Sequence, residues 1–440
     1  MKGWGHLIVI AGMCIATSLG AEEGSLRRRA YLGAELDTPS RKQPGAPVLG
    51  VTPGTAAAEM GLAVGDRITK INRRVLENPI VFDAIYSGLR GGDTVRFEIL
   101  RAAKAFEKQA KLPELPYEQF PGVEVTYGAV RTDAGYRVRM IVTRPSGARE
   151  RLPGIFFAPW LSCDSVENPF GPGGDGMMAL LHALAKESGY VLMRVDPPGR
   201  GDSEGPTCSE SDFTTELAGL RAAFGEFLKS ENVDPQRIFV LGLSNGGGYA
   251  PLVPDGRKVA GYISIGGWSK TWFEHMLEFE RKRLALAGAP PAEVTTKMQD
   301  YAEFYADYLI RKQTPGEIIR SKPQLAALWS DEPAHQYGRP AAYFQQLQEL
   351  NLAAAWEKAD APALAIWGEH DWSMSREDHE AIARFGRPGL SRFVALPRTT
   401  HGLRQNLSDE QSFQNFGSGS FNSAVVPLVL DWMKSVLDAP

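Results

Sequence analysis

The chain has 440 residues, a length that suggests about three folded units. Its 48 lysines and arginines against 52 aspartates and glutamates give a net charge of −4, so the chain lacks the basic surface that nucleic-acid binding requires. Its histidines, cysteines and carboxylates are not spaced as metal ligands, and no motif indicates a cofactor.

The N-terminal residues are typical of an export signal. Lys2 precedes an apolar stretch, Leu7–Leu19, that ends in small residues. This order indicates a bacterial secretory signal cleaved after Gly20 or Ala21. The stretch is shorter than the ~20 residues that a membrane-spanning helix needs. We therefore expect residues 1–21 to be removed and the mature protein to be periplasmic or secreted, without a membrane span.

Residues 30–114 form the first predicted globular unit. It opens with Tyr-Leu-Gly-Ala at 31–34, contains PGTAAAEMGLAVGDRI at 53–68, and continues through a predicted helix at 79–89 into GGDTVRFEI at 91–99. Over its whole length this unit resembles the PDZ domains of bacterial periplasmic proteases. The resemblance implies a small β-rich domain.

The same resemblance implies a peptide-binding groove. In PDZ domains the amides of the opening loop, here Leu32, Gly33 and Ala34, hold a C-terminal carboxylate while the peptide adds to the sheet edge. Val81 and Ile85 on the helix would face that peptide. Peptide or protein C-termini are the implied partners. A PDZ domain that only packs against the rest of the chain is an open alternative.

The end of this unit departs from the PDZ pattern. The final hairpin, expected at 101–106, contains no glycine, which predicts a longer or helical turn. The prolines of Leu112–Pro116 disfavour continued helix or strand and mark the linker to the next unit.

The strongest motif in the chain is IFVLGLSNG at 238–246. A buried-strand pattern leads directly into G-x-S-x-G, which is typical of a nucleophile elbow. Glycines two residues before and after the serine are needed because side chains there would collide with the neighbouring strand and helix. Ser244 is therefore the predicted nucleophile.

Two later strands supply a base and an acid. One strand, at 363–367, ends shortly before Asp371, and another, at 393–396, ends shortly before His401. The order Ser, acid, His is that of the α/β-hydrolases. Residues 117–440 thus resemble this superfamily, in particular its serine aminopeptidase-like and prolyl-oligopeptidase-like members. The resemblance implies an α/β fold with a doubly wound sheet and a Ser–His–Asp triad.

Other residues compete for the roles of base and acid. The alternative bases are His370 and His379. We expect His379 to lie on a solvated helix at 375–385 and His370 to point away from the acid. The alternative acids are Glu369, Asp378 and Asp360. Only Asp371 follows its strand at the distance usual for the acid of such a triad.

The resemblance also implies two backbone donors for an oxyanion. One is the amide of Asn245, directly after the nucleophile. The other should follow the strand at 154–158 and is the amide of Leu161 or Trp160. Trp160 as a packing residue without a catalytic part is the alternative.

The segment from about 267 to 360 is predicted to be a helical cap over the active site. It is rich in aromatic residues, some of which should line an acyl or peptide pocket while most form the core of the cap. Glu274 and Glu278, four residues apart, could bind a substrate amine. A solvated helix face is the alternative for this pair.

Two loops after the third and fourth predicted strands complete the prediction. In DPPGRGDSEG at 196–205, Asp202 is expected to bond backbone amides and support the active site. Cys163 and Cys208 remain after removal of the signal, and an even pair in an oxidising compartment suggests a disulfide. Two buried thiols are the alternative.

These features predict an exported serine hydrolase that works through an acyl-enzyme. The PDZ domain favours peptide or protein-linked acyl substrates. A carboxylic-ester hydrolase, esterase or thioesterase, with a structural PDZ domain is the second hypothesis, because these enzymes share the same machinery. A non-catalytic PDZ binding protein on a hydrolase scaffold is the third.

Overall fold

The computed structural model describes residues 25–439, so the predicted signal at 1–21 lies outside the described residues. The first unit is one antiparallel sheet with two short helices. Its strands are β1 (Ala34–Leu36), β2 (Ala46–Val51), β3 (Arg67–Ile71), β4 (Arg74–Val75), β5 (Thr94–Arg101) and β6 (Lys104–Lys111). Its helices are α1 (Ala56–Glu59) and α2 (Pro79–Tyr86). The strand order β1-β2-β3-β5-β6, with β4 on β3, leaves β1 at an edge of the sheet.

The β5–β6 hairpin corrects one prediction. Arg101 pairs with Lys104 across a turn of two residues, so the turn is neither longer than usual nor helical. Ala102 and Ala103 have φ angles of 45° and 64°, and positive φ at both central positions defines a type I′ turn. The continuous ladder between β5 and β6 holds two alanines in a conformation that usually requires glycine or asparagine.

The second unit is built on an eight-stranded sheet in the order β16-β15-β12-β11-β9-β10-β8-β7. The strands are β7 (Val123–Arg131), β8 (Arg137–Pro145), β9 (Leu152–Ala158), β10 (Val191–Val195), β11 (Val233–Leu243), β12 (Gly261–Ile265), β15 (Ala363–Gly368) and β16 (Arg392–Leu396); a separate two-stranded hairpin comprises β13 (His335–Gln336) and β14 (Arg339–Pro340). The six strands from β9 onward in the large sheet are parallel, whereas β7 and β8 are antiparallel.

Helices cover both faces of this sheet, as expected for a parallel sheet with buried strands. One face packs against α3 (Gly176–Glu187) and α13 (Val425–Leu437). The other packs against α4 (Phe213–Lys229) and α11 (Arg376–Phe385). The short helices α5 (Asn245–Tyr249) and α12 (Asp409–Gln414) follow β11 and β16. The carboxyl ends of the parallel strands therefore meet at one edge, where the predicted triad residues lie.

A helical insertion lies between β12 and β15 and is named the cap. It comprises α6 (Trp272–Leu286), α7 (Pro291–Tyr305) with a π-helical extension (Ala306–Ile310), α8 (Pro315–Ser321), α9 (Ala341–Gln348), α10 (Leu352–Ala359) and the β13–β14 hairpin. Its aromatic residues pack mainly on each other; the rings of Trp268 and Trp272 are 5.1 Å apart, and those of Phe304 and Trp329 are 5.2 Å apart.

The two units are joined by more than the linker. The Tyr31 amide donates to Pro113 O at 2.9 Å, and the Leu115 amide donates to Arg29 O at 2.9 Å, so the linker pairs with the segment that opens the first unit. Arg28, whose side chain is 2% exposed, donates to Glu167 at 2.6 Å and to Asp202 at 2.9 Å. The units therefore share a buried ionic cluster.

Asp202 has a wider role than predicted. It accepts a backbone hydrogen bond from the Arg29 amide at 2.8 Å, but its other partners are the guanidinium groups of Arg28 and Arg139. The loop after β10 thus anchors the segment that opens the first unit. Across residues 25–439, no helix is long and apolar enough to cross a membrane.

Candidate active site

The turn between β11 and α5 has the strained geometry of a nucleophile elbow. Ser244 adopts φ 55° and ψ −123°, a conformation that a residue with a Cβ rarely takes. A Cβ on Gly242 would lie 2.2 Å from Gly246 O, and one on Gly246 would lie 2.2 Å from Ala158 O. Both glycines are therefore required by close backbone contacts. The turn presents the serine hydroxyl beside the end of β9.

Ser244, His401 and Asp371 form a continuous hydrogen-bonded chain. The Ser244 hydroxyl donates to His401 Nε2 at 2.9 Å, and His401 Nδ1 donates to Asp371 Oδ2 at 2.8 Å. The other oxygen of Asp371 accepts from the amides of Ser373 and Met374, both at 2.9 Å. Asp371 is thus fixed by the turn after β15 and orients the imidazole ring. This arrangement allows a histidine to accept the proton of a serine nucleophile.

The surroundings of His401 favour its protonated form. Burial lowers the pKa of His401, but the charge and hydrogen bond of Asp371 more than offset this, so the pKa stands above its ordinary value. Burial raises the pKa of Asp371, and His401 offsets that effect, which leaves the Asp371 pKa below its ordinary value. The pair therefore stabilises an imidazolium of the kind that serine attack generates.

The structure does not place the alternative bases beside Ser244. His379 is fully buried, so the prediction of a solvated position is wrong. Its Nδ1 donates to Ser375 O at 2.7 Å, and its Nε2 accepts from the Gly267 amide at 3.0 Å, which satisfies the neutral ring inside the protein. His370 instead pairs with Asp409 at 2.9 Å.

The alternative carboxylates have other partners. Glu369 accepts from the Arg398 amide at 2.9 Å. Asp378 accepts from the Ser269 amide at 2.8 Å and from Ser375 Oγ at 2.7 Å. Asp360 ends α10 in a left-handed conformation.

The glutamates proposed for amine binding are also engaged. Glu274 forms a capping box with Thr271 at the start of α6. Glu278 pairs with Lys270 at 2.6 Å. Glu274 therefore stabilises the N-terminus of α6, and Glu278 forms an exposed ion pair.

Residues 159–170 follow β9 and pass beside Ser244; because they contain the amides predicted as oxyanion donors, this segment is named the oxyanion loop. Trp160 and Leu161 both line the cavity that contains Ser244 and His401. The Trp160 ring also packs 5.5 Å from Phe157, so this residue has a packing role as well as a place in the site. Tyr249 OH donates to Pro159 O at 2.9 Å and ties the start of the loop to α5.

The Asn245 side chain joins the elbow to the cap. Its Nδ2 donates to Tyr343 OH at 3.0 Å, and its Oδ1 accepts from Trp268 Nε1 at 3.1 Å. Because this side chain is buried and held from both ends, its backbone is fixed next to Ser244. These partners are not recognisable from the sequence, because Trp268 and Tyr343 lie in distant segments.

The opening loop of the first unit is fixed by backbone hydrogen bonds. Leu32 O accepts from the Ala57 amide at 2.9 Å, and Gly33 O accepts from the Thr52 amide at 2.8 Å, so the loop is held by its carbonyl groups. Gly33 has φ 77°, and a Cβ there would lie 2.2 Å from Thr55. Gly33 is therefore required by the fold of the loop itself, and Ala34 continues from it into the edge strand β1.

Comparison with known families agrees with this geometry. A model of the alpha/beta hydrolase family matches residues 153–411, which is more than half of the chain. The chain belongs to the alpha/beta hydrolase family. A PDZ domain model matches residues 30–112. The predicted fold, an α/β-hydrolase sheet preceded by a small β-rich PDZ domain, is thereby confirmed.

Individual relatives are more distant. The magnetosome formation protease MamE of Magnetospirillum gryphiswaldense is 39% identical over 101 residues, which are 23% of this chain and 13% of that protein. An esterase from Pyrococcus furiosus is 12% identical, with 74% of this chain and 96% of that chain covered at a TM-score of 0.42. The alpha/beta hydrolase GrgF from a Penicillium species is 17% identical, with 72% and 100% covered and a TM-score of 0.45.

The cavity beside Ser244 corrects the prediction for the cap. It has a volume of about 420 Å³ and is lined by the oxyanion loop, the start of α3, the loop around His401 and the segment 412–417. Its apolar surface comes from Trp160, Leu161, Met177 and Phe416. Among the described residues, those of the cap do not contribute to this lining, because their aromatic rings are used in the core of the cap.

A disulfide braces the oxyanion loop. The structure joins Cys163 to Cys208 with a Cα–Cα distance of 5.8 Å and a separation of 45 residues along the chain. Cys208 is buried in the loop after β10. The bridge therefore ties the oxyanion loop to the same loop that carries Asp202.

A second cavity of about 420 Å³ lies between the PDZ domain and the hydrolase. Phe82 and Tyr86 of α2 line it on the PDZ side. Ile85 instead lies in the PDZ core, and Val81 packs partly buried against that core. Neither residue lines this cavity, and their predicted contact with a peptide in the PDZ groove stays a prediction. Asp164 lines both this cavity and the one beside Ser244.

Proposed function

We propose that this alpha/beta hydrolase is a serine hydrolase in which Ser244 is the nucleophile, His401 the base and Asp371 the orienting acid. The observation that carries this proposal is the hydrogen-bonded chain, 2.9 Å from Ser244 to His401 and 2.8 Å from His401 to Asp371. Ser244 attacks the acyl carbon while His401 takes its proton. His401 then returns that proton to the leaving group, and water activated by the same histidine releases the acid.

The oxyanion of each tetrahedral intermediate needs preorganised N–H donors. We assign one to the Asn245 amide and the other to the amide of Leu161 or Trp160. The elbow and the oxyanion loop support this assignment, because each holds its backbone in place by buried contacts on both sides of Ser244.

The substrates we propose are peptides or protein-linked acyl groups. The PDZ domain supports this choice, since the amides of Leu32, Gly33 and Ala34 can hold a C-terminal carboxylate while a peptide adds to the free edge of β1. Asp164 lines both the cavity beside Ser244 and the cavity between the PDZ domain and the hydrolase, so the PDZ side lies close to the proposed active site.

Paired substrates test this proposal without disturbing the fold. Acyl peptides that end in a free carboxylate are compared with the same peptides ending in an amide, and a small chromogenic ester serves as reference. We expect higher kcat/KM for the free acid, because tethering raises the effective concentration at Ser244. Val81→Lys should remove that preference, whereas Val64→Lys, at a position 69% exposed, should retain it. Equal rates for acid and amide would reject recruitment by the PDZ domain.

We further propose that the protein is exported and that Cys163 and Cys208 are joined in the mature chain. An oxidising compartment is where such a bridge persists. Mass spectrometry of the unreduced protein, recovered from cell fractions, should show the two cysteines in one linked peptide and an N-terminus at residue 21 or 22. Two free thiols, or an intact residue 1 in the mature protein, would contradict this proposal.

A further inference from the structure

Arg339 of the cap reaches the oxyanion loop. It lies in β14, and its side chain is 1% exposed. Its Nε donates to Leu161 O at 2.6 Å, and its Nη2 is 3.4 Å from Ser162 O. These carbonyls lie directly after the amides proposed as the second oxyanion donor. A planar guanidinium bonded to consecutive carbonyls fixes the orientation of their two peptide planes, the first of which adjoins the plane that contains the Leu161 amide.

The same guanidinium is connected to the elbow. Arg339 Nη1 pairs with Glu216 of α4 at 2.6 Å, and the Glu216 side chain is also 1% exposed. The guanidinium lies over the Tyr343 ring, 4.3 Å from its centre. Tyr343 OH donates to Glu216 at 3.3 Å and accepts from Asn245 Nδ2 at 3.0 Å. One buried cluster therefore touches both backbone segments that flank Ser244.

We propose that Arg339, held by Glu216 and Tyr343, is a positioning residue that sets the spacing between the two halves of the oxyanion hole. This inference rests on the proposed serine hydrolase function. Buried ion pairs are weak sources of stability when compared with apolar residues of the same size. Oxyanion stabilisation, in contrast, depends on donors that are in place before the charge develops. The cluster therefore serves to hold the proposed oxyanion donors in position beside Ser244. Through this cluster the cap affects kcat, although its residues do not line the cavity.

The test compares Arg339→Lys with Arg283→Lys on a chromogenic ester. Lysine keeps the charge of Arg339 but lacks the fork that reaches two carbonyls. Arg283 is a matched control, because it also lies in the cap and pairs with an acid, Glu280 at 2.7 Å, away from the oxyanion loop. We expect Arg339→Lys to lower kcat 10²- to 10³-fold, roughly the loss on removing an oxyanion donor, with little change in KM. Arg283→Lys should keep kcat.

Two further readouts separate positioning from folding. Affinity for a trifluoromethyl ketone, which forms a tetrahedral adduct, should fall by the same factor as kcat/KM, while the acid limb of the pH profile stays in place because His401 and Asp371 are untouched. The double variant Arg339→Met with Glu216→Leu replaces the ion pair by apolar side chains and should keep the Tm of the native protein. We expect it to show the same loss of kcat.

Native kcat and inhibitor affinity in Arg339→Lys, or a loss that follows only the fraction of unfolded protein, would overturn the inference. Failure of this inference can be distinguished from failure of the proposed function. If Ser244→Ala kept full turnover, the serine hydrolase mechanism itself would fail. If Ser244→Ala is inactive and Arg339→Lys is fully active, only the positioning role fails.

Discussion

The cap and the PDZ domain hold opposite ends of the same loop. The cap contacts the start of the oxyanion loop, where Arg339 bonds the carbonyls of Leu161 and Ser162. The segment that opens the PDZ domain contacts the end of that loop, where Arg28 pairs with Glu167. Both contacts are made by buried arginines. They differ in what the arginine binds.

The difference indicates two separate roles. Arg339 binds backbone carbonyls beside Ser244, so its loss alters the geometry of the loop that faces the substrate. In that loop Arg28 binds a carboxylate, and it also bonds the Leu115 and Pro116 carbonyls of the linker, so its loss removes contacts that join the PDZ side to the hydrolase. We therefore expect substitutions on the cap side to lower kcat. Substitutions on the PDZ side should lower the free energy of unfolding and the kcat/KM for long substrates.

The largest effect is expected at the triad, beside the oxyanion loop that the cap and the PDZ side both contact. Ser244→Ala and His401→Ala should each lower kcat on a small ester on the order of 10⁶-fold, because the residues of a triad act as a unit. For the same reason the double variant should be little worse. Steady-state rates with active-site titration check this. Near-native turnover in either single variant would contradict the proposal that Ser244 is the nucleophile and His401 the base.

The next effect concerns the acid of the triad. Asp371→Asn should lower kcat about 10⁴-fold, because it disturbs the histidine tautomer while the nucleophile stays in place. Glu369→Gln is the matched control, since Glu369 accepts a bond from the Arg398 amide and makes no contact in the triad.

The pH dependence sharpens that prediction. His401 must be neutral to act as a base, so activity is lost as pH falls through its pKa, which Asp371 holds above the ordinary value. Removing the charge of Asp371 should move the acid limb of kcat/KM to lower pH. A limb that stays in place would show that another carboxylate raises the pKa of His401.

On the PDZ side the expected effect is on stability. Arg28→Met should cost about 3 kcal/mol in the free energy of unfolding, because it removes the shortest ion pairs of the buried acids Glu167 and Asp202, which keep only their contacts with Arg29 and Arg139. Arg27→Met is the control, since Arg27 is 64% exposed in its pair with Asp93 and should cost less than about 1 kcal/mol. Denaturant unfolding measures both. Equal stability of the two variants would mean that the PDZ domain is attached by other contacts.

Arg28 also contributes to the stability of the hydrolase domain, whose predicted boundary is residue 117. A fragment of residues 117–440 contains the triad and the proposed oxyanion donors, but it lacks Arg28 and Arg29, so Glu167 loses both arginine partners and Asp202 keeps only Arg139. We expect this fragment to unfold at lower denaturant concentration than the full mature chain. Full stability of the fragment would show that the hydrolase does not depend on the PDZ side.

The smallest effect lies in the PDZ hairpin, far from both contacts. Ala103→Gly should stabilise the protein by about 1 kcal/mol, because Ala103 has φ 64° and glycine adopts this conformation without strain. Ala105→Gly, in the regular part of β6, should destabilise it instead. Thermal unfolding compares them. A loss of stability in Ala103→Gly would contradict the strain assigned to this turn.

The sequence was informative where chemistry is encoded locally. The elbow around Ser244 was recognisable because G-x-S-x-G follows directly on a buried strand, and Asp371 and His401 each follow a strand end. The PDZ domain was recognisable from one continuous segment at 53–68. In each case neighbouring residues along the chain carry the signal.

The sequence was uninformative where the signal depends on distant partners. His379 has a polar sequence environment, and its burial depends on the Gly267 amide, 112 residues away. Arg339 and Glu216 are single charged residues in unrelated segments, 123 positions apart, and only the packing of the cap on α4 brings them together. The lining of the cavity likewise depends on how the cap aromatics pack, which their spacing alone does not determine.

The most direct test of Ser244 as the nucleophile is to trap the acyl-enzyme. The mature protein is mixed with a p-nitrophenyl ester, quenched in acid during turnover, digested and examined by mass spectrometry. We expect an acyl group on the peptide that contains Ser244, formed in step with a burst of p-nitrophenol and absent from Ser244→Ala. Turnover without a covalent acyl group, or with the acyl group on another residue, would contradict this role of Ser244.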